Sequence, residues 1–418
     1  MHRDSHCPSA NFDFSSSIPV TQIIQIVPRL PPSISGVGDY AFLLAQELRR
    51  GHGISTQFIV ADPDLDGGAY GGQRAEVTRA SSVVRGPRSV VPGSFMLDGF
   101  PVYRLKARKA EELLQVLSLP GMPSTILLHY VGYGYEKRGC PVWLVTALEA
   151  WKKAERRSEA LHQAPNSDQQ PPNSRHLVTM FHELFASGPP WRSSFWTSPA
   201  QRSVARRVAH TSDAVRTNRE ESARWLDRVR GAGVSPSCVA PVCSNFGESK
   251  RQLPLVHREP LLLMIGGRSW IEPLVTSHGS AVNRVCEQLE VEKIVTIGSP
   301  TGLCRNLRLP AKELGVLPAV EIGHWLAHSR FGLMRYFPGY IGKSGIFAAY
   351  AAHGIVPLLL EPTTDGDEGL IAGQHYLRLG QIQTRCDMQR LQAVAEAALN
   401  WYRPHNWAHT AYWYARVL

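Results

Sequence analysis

Short apolar runs alternate with amphipathic stretches along nearly the whole of this 418-residue chain, and nothing else in the sequence restricts the fold as strongly. The first run, 23–27 (IIQIV), is apolar on both faces, as a strand covered on both sides must be. Residues 39–50 follow with Phe42, Leu43 and Leu48 near helical spacing, and Asp39 places negative charge at the amino end of that helix. Further strands are expected at 57–61, 126–131, 177–181, 214–217 and 239–242, with helices at 111–117, 142–156, 199–210 and 220–230. A second series begins near Pro260. It has strands at 261–265, 293–297, 331–336 and 355–360, and helices at 281–289, 319–328 and 345–353. Strand, helix and strand in succession imply a parallel sheet with helices on both faces. Two such series imply an α/β protein with two Rossmann-like domains facing each other across a cleft.

The length is too great for one ordinary core. The stretch 244–259 is polar and aperiodic, which suits a linker. The division expected is a disordered tail at 1–18, an N-terminal Rossmann-like domain at 19–245, a C-terminal one at 258–400, and a helix at 401–418 packing across the boundary. The last segment carries Trp401, Tyr402, Trp407, Tyr412, Trp413 and Tyr414, which need a surface to cover. Residues 67–92 and 164–175 read as loop insertions. The polar amino end lacks a secretory core, no run is long enough to span a bilayer, and the seven scattered cysteines form no C-x-x-C pair. A cytoplasmic, reduced protein is the expectation. The net charge of +10 favours anionic partners: nucleotides, phospholipid surfaces or nucleic acid. Nucleic acid is disfavoured, because aromatics do not alternate with the basic residues in an RNA-binding pattern.

Ligands of open α/β sheets bind beyond the carboxyl ends of the strands. After the first strand come Gly36, Val37 and Gly38, where glycines permit close backbone approach. Gly36-x-Gly38-x-x-Ala41 matches a dinucleotide pattern, but eight residues, Pro31 and Pro32 among them, separate it from the strand. A nicotinamide site fits poorly; a wall of the cleft, or a turn that binds nothing, fits better. His129 and His182 end two other strands and would converge near the cleft, either to hydrogen-bond a sugar or phosphate or as satisfied structural residues. No metal site is expected: His182-Glu183 lacks the second histidine of H-E-x-x-H, and His324 and His328 lack a third ligand. In the second half, Gly267 and Arg268 follow a buried strand, where an arginine can pair with a diphosphate. Gly342, Lys343 and Ser344 precede a helix whose amino end would stabilise a departing diphosphate. A P-loop would need glycine where Phe337 stands.

At these residues the chain resembles the retaining GT-B glycosyltransferases that use nucleotide sugars. Residues 35–40 (SGVGDY) resemble the amino-terminal glycine loop and 178–183 (VTMFHE) the strand-and-histidine segment. Residues 265–268 (IGGR) resemble the start of the donor domain and 342–357 (GKSGIFAAYAAHGIVP) the donor-binding helix. The resemblance implies a nucleotide-sugar donor held in the second domain by Gly267, Arg268, Gly342, Lys343 and Ser344. It implies a glycan or lipid-linked acceptor in the first, with His129, His182 and the Gly36–Gly38 loop positioning the reacting sugar. It implies no cofactor and no metal, and the basic surface would suit peripheral membrane contact. One departure stands out. The family carries two glutamates at positions matching Ile341 and Ala349 here. A non-catalytic homologue acting as a partner subunit or sugar-binding module is therefore the competing reading, and a nicotinamide oxidoreductase a third.

Overall fold

The computed structural model describes residues 21–33, 35–63, 94–162, 174–186, 189, 191–298, 300–302, 307–336, 339–360 and 369–418. The tail at 1–18, the stretch 67–92 and most of 164–175 lie outside the described residues.

The alternation resolves into two parallel sheets, formed one after the other. The first contains β1 (Gln22–Val27), β2 (Ser55–Val60), β3 (Ser94–Leu97), β4 (Phe100–Arg104), β5 (Thr125–Tyr130), β6 (His176–Phe181), β7 (Ala214–Thr217) and β8 (Cys238–Val239). Their order is β3-β4-β2-β1-β5-β6-β7-β8. Among the described residues only β3 and β4 pair antiparallel. That hairpin was not foreseen from sequence. Its turn is Asp98-Gly99, both at positive φ (49° and 78°), the geometry a tight two-residue turn requires. The second sheet holds β9 (Glu259–Gly266), β10 (Lys293–Gly298), β11 (Ala311–Glu313), β12 (Ser329–Arg335), β13 (Val356–Leu360) and β14 (Leu377–Arg378), in the order β11-β10-β9-β12-β13-β14 and parallel throughout.

The central strands are apolar because helices cover both faces. All six residues of β5 are buried. Ile24, Ile126 and Leu128 share a core with Leu144 and Leu148 of the helix Val142–His162. Besides the short helix Gly132–Tyr135, two helices depart from the sequence expectation. One runs Ser193–Thr211, with Pro199 inside it rather than at its start. The other, Arg268–Thr276, follows Gly267 directly and was not expected at all.

The last helix, Trp407–Val417, returns to the first sheet. Trp407, Ala411 and Tyr414 pack with Tyr40, Leu44 and Leu48 of the helix Gly36–His52. Hydrogen bonds fix the return. Glu248 accepts from the Tyr402 hydroxyl at 2.5 Å and from the Trp407 amide at 2.9 Å, and the Trp407 indole donates to the Ser244 carbonyl at 2.8 Å. Beneath it lies Arg216, 3% exposed, its guanidinium 5.0 Å from the Trp413 ring and 5.1 Å from that of Tyr414. Among the described residues no helix is long and apolar enough to cross a membrane.

Candidate functional site

The carboxyl ends of the two sheets enclose a cavity of about 930 Å³. The first lobe contributes Pro31, Pro32, Asp39, Phe42 and Leu43; the second contributes Gly266, Gly267, Gly298, Val316 and Leu317. Residues 245–249, read from sequence as linker, line it as well. A smaller cavity of about 190 Å³ shares Asn245, Phe246, Ile265 and Ile346 with the first, and reaches Trp270, Arg335, Ser344 and Gly345.

Glycine shapes the second-lobe wall. Strands β9 and β10 end in register at Gly266 and Gly298. Their φ angles are 154° and 126°, and a Cβ on Gly298 would sit 2.0 Å from the Gly266 carbonyl oxygen. Only glycine fits this approach. Nearby, the Ser344 hydroxyl accepts from the Phe347 amide and caps the helix Gly345–Ala352. The first-turn amides of Gly345 and Ile346 have no carbonyl of their own helix to reach, and both residues line the cavities.

In the first lobe His129 and His182 do meet. His129 Nδ1 lies 3.1 Å from His182 Nε2, and His129 Nε2 lies 2.8 Å from Gln25 Oε1. Gln25 Nε2 donates to Thr56 at 3.3 Å, so its oxygen must accept from His129 Nε2–H. His129 Nδ1 then accepts from His182 Nε2–H, which leaves the lone pair of His182 on Nδ1. Tyr40 packs edge-on to both rings. Burial pushes the His129 pKa down to about 3. Burial first, then His129 and the Lys343 charge, hold His182 well below the usual range. Both rings are neutral at pH 7 and offer hydrogen bonds, not charge. His129 is fully enclosed, so it cannot touch a substrate as the sequence suggested; it sets the tautomer of His182, which is 8% exposed and, like His129, outside the lining of both cavities.

The cations are arranged differently from the expectation. Arg268 is not a loop residue; it opens the helix Arg268–Thr276, and its Nε donates to Glu272 one turn on at 3.0 Å. It lies outside the lining of both cavities. Lys343 lies outside them too and faces the first lobe, its Nζ 3.9 Å from Glu183 Oε1 and 5.6 Å from the Tyr340 ring. Arg219 stacks on that ring at 4.0 Å, and the Gly342 carbonyl accepts from the Val242 amide at 2.9 Å. The turn 340–343 is thus an interlobe contact. Structure instead draws attention to Arg335 at the end of β12. It lines the smaller cavity beside Gly345 and forms no ion pair among the described residues. Asp39 is the second residue missed. Its carboxylate lines the main cavity without a hydrogen-bond partner among the described residues, and burial raises its pKa to about 6. Glu248, the other carboxylate there, is engaged by Tyr402 and Trp407. The glycine loop divides. Gly36 is open to solvent, Val37 is half-buried, and Gly38 is held under Arg29, where a Cβ would stand 2.4 Å from the Arg29 carbonyl oxygen. Ile341 and Ala349 are buried, at 2% and 0% exposure. Among the described residues no cluster of His, Cys, Asp or Glu is placed to hold a metal ion.

No family model matches the sequence, and no curated protein does. Solved structures do match over nearly the full length. An alpha-glucosyltransferase in complex with UDP-glucose and DNA aligns over 92% of this chain and 95% of its own, at 11% identity and a TM-score of 0.50. The alpha,alpha-trehalose 6-phosphate synthase from Burkholderia multivorans aligns over 95% and 96%, at 12% identity and a TM-score of 0.51. S. aureus MnaA with UDP aligns over 96% and 98%, at 10% identity and a TM-score of 0.50. The chain therefore has the GT-B architecture of two Rossmann-like domains across a cleft.

Proposed function

We propose that this chain is a glycosyltransferase that moves a sugar from a nucleotide-sugar donor to a glycan or lipid-linked acceptor, with retention and without a metal. One observation carries the reading: the interlobe cavity has a glycine-and-amide cradle on its second-lobe wall and an unpaired carboxylate on its first. Backbone N–H groups at a helix amino end hold phosphate without side-chain charge. Gly267, Gly345 and Ile346 supply such groups, Ser344 fixes their helix, and Arg335 adds the cation that Arg268 was expected to bring. Lys343 and Gly342 hold the lobes together around the donor. The bound UDP and UDP-glucose of the structural neighbours make a uridine nucleotide the first donor to test.

Asp39 orients the acceptor hydroxyl from the first lobe. The sugar's anomeric carbon leaves the diphosphate and bonds to that hydroxyl oxygen, while a diphosphate oxygen takes the proton on the same face. His182, outside the cavity lining, supports the end of β6 behind the sugar rather than touching it, and His129 keeps its tautomer fixed.

Thermal shift against UDP, GDP, ADP and CDP tests the donor site. Stabilisation by one of them near 2.7 kcal/mol is expected at about 100 Kd, and no shift with any of them would end the proposal. Product stereochemistry by NMR tests retention; an inverted product would make Asp39 the base. A second reading, a sugar-binding partner subunit, draws on the buried Ile341 and Ala349. Binding of nucleotide sugar without transfer or hydrolysis would favour it.

A further inference from the structure

We infer that the start of the helix Ser193–Thr211, with the turn before it, is a docking face for an anionic lipid surface. Three large aromatic side chains stand in solvent within six residues: Trp191 at 83% exposure, Trp196 at 73% and Phe195 at 41%. At about 100° per residue Phe195, Arg202 and Arg206 share one line of the helix, and Trp196 stands about a quarter-turn round, packed edge-on against Phe195 at 5.4 Å; all four are exposed, and the Arg202 guanidinium rests 4.6 Å from the Phe185 ring. The opposite side, Val204, Ala205, Val208 and Ala209, is buried in the first lobe's core. Arg207, which follows Trp196 on nearly the same line of the helix, is taken up in an ion pair with Glu149. The helix contains no acidic residue.

The order of groups suits a bilayer. Aromatic rings come first, at the helix amino end. Arg202 and Arg206 stand about 9 and 15 Å behind Trp196 along the axis. Indole rings favour the headgroup level, long arginine side chains reach lipid phosphates from behind, and an anionic leaflet rewards an acid-free cationic face. On the buried side, Gln201 donates to the Tyr133 hydroxyl and the Arg138 carbonyl and anchors the start of the helix to the first lobe. Two copies of such a face would repel each other, which argues against a homodimer here.

The helix follows β6, whose end carries His182 and Glu183, so the face lies at the cavity end of the first sheet. Lipid binding stands apart from the proposed transfer reaction. Only the corollary, that the acceptor is presented from the membrane, rests on that reading.

The full chain should be sedimented with phosphatidylcholine vesicles and with vesicles of phosphatidylcholine and phosphatidylglycerol in equal parts. Capture by the anionic vesicles alone, weakened by salt, is expected. R202Q/R206Q should weaken it roughly 30-fold, about 1 kcal/mol for each cation removed. Brominated lipid should quench tryptophan emission in the parent protein, and W191A/W196A should abolish most of that quenching. All four positions are exposed, so unchanged melting temperatures will certify folding, and unchanged UDP binding will separate this test from that of the transferase. No capture by anionic vesicles, or capture indifferent to both double variants, would overturn the inference. Tighter binding to an oligothymidylate than to vesicles, lost in the same variants, would reassign the face to nucleic acid.

Discussion

Two constructions meet across the cleft. In the first lobe, the candidate site depends on side chains in a chain of hydrogen bonds, Thr56 to Gln25 to His129 to His182, sealed by Tyr40. In the second it depends on main chain: two glycines in register and the open amides of a capped helix. Side-chain networks fail as units when one member is lost. A backbone cradle tolerates exchange of most residues around it and is broken only where a Cβ intrudes. This contrast gives a physical reason why the proposed phosphate cradle of the second lobe does not require the carboxylates that Ile341 and Ala349 replace in the family it resembles.

The sharpest way to break the comparison is His129→Leu. It strands the Gln25 oxygen and the His182 N–H in a dry interior, and should cost about 2–5 kcal/mol in urea unfolding. His129→Gln, which can keep one partner, should cost less. Gly298→Ala is the counterpart in the second lobe. With φ at 126° and the Gly266 oxygen 2.0 Å from the new methyl, a loss of about 2–4 kcal/mol and of UDP stabilisation is expected.

Acid should act through the histidines. The folded pKa values of His129 and His353, about 3 and about 4, lie below the unfolded value of 6.5. Between those limits the unfolded chain binds more protons, so stability is full above about pH 6.5 and falls as pH drops toward 4. Melting temperature against pH checks this, and His129→Gln should flatten the slope. Asp39 has the opposite sign: its raised pKa means that its ionisation opposes folding above about pH 6. Its mark should appear in activity, as an acid limb near pH 6 that Asp39→Asn removes. The smallest effects should sort the cations. Arg335→Gln should weaken UDP binding about tenfold, near 1.4 kcal/mol, whereas Arg268→Gln, already paired on the surface with Glu272, should change it less than twofold. Equal losses at both would mean that the second lobe relies on side-chain charge after all.

Much of the architecture could be read from period alone. The helices Glu220–Arg230 and Ala319–His328 and the strand Ala214–Thr217 begin and end where the sequence places them, because apolar spacing defines them even though neither helix has a side-chain N-cap. The site was less legible, for three reasons. Arg268 after Gly267 suits a loop and a helix start equally well, and the choice depends on Ile271, Leu274 and Val275 finding a core. Arg335 falls inside the strand expected at 331–336 and is in fact its last residue; its exposure beside another helix is a tertiary fact. Asp39 reads as a helix-start charge, and its place as a half-buried carboxylate on the cavity wall is visible only in the fold. Meeting of the two histidines could be inferred from strand ends, but not their seal, since Tyr40 is itself held by Trp407 from the far end of the sequence.

That distant cover bears on biosynthesis. A ribosome emits Tyr40 roughly 20–75 s before Tyr414 at 5–20 residues per second, so the domain translated first has to wait, one face unclad, while the whole second domain is made. Completion of the earlier half is then the final event in maturation, and a chain halted near residue 400 would display that unfinished apolar surface to chaperones and proteases.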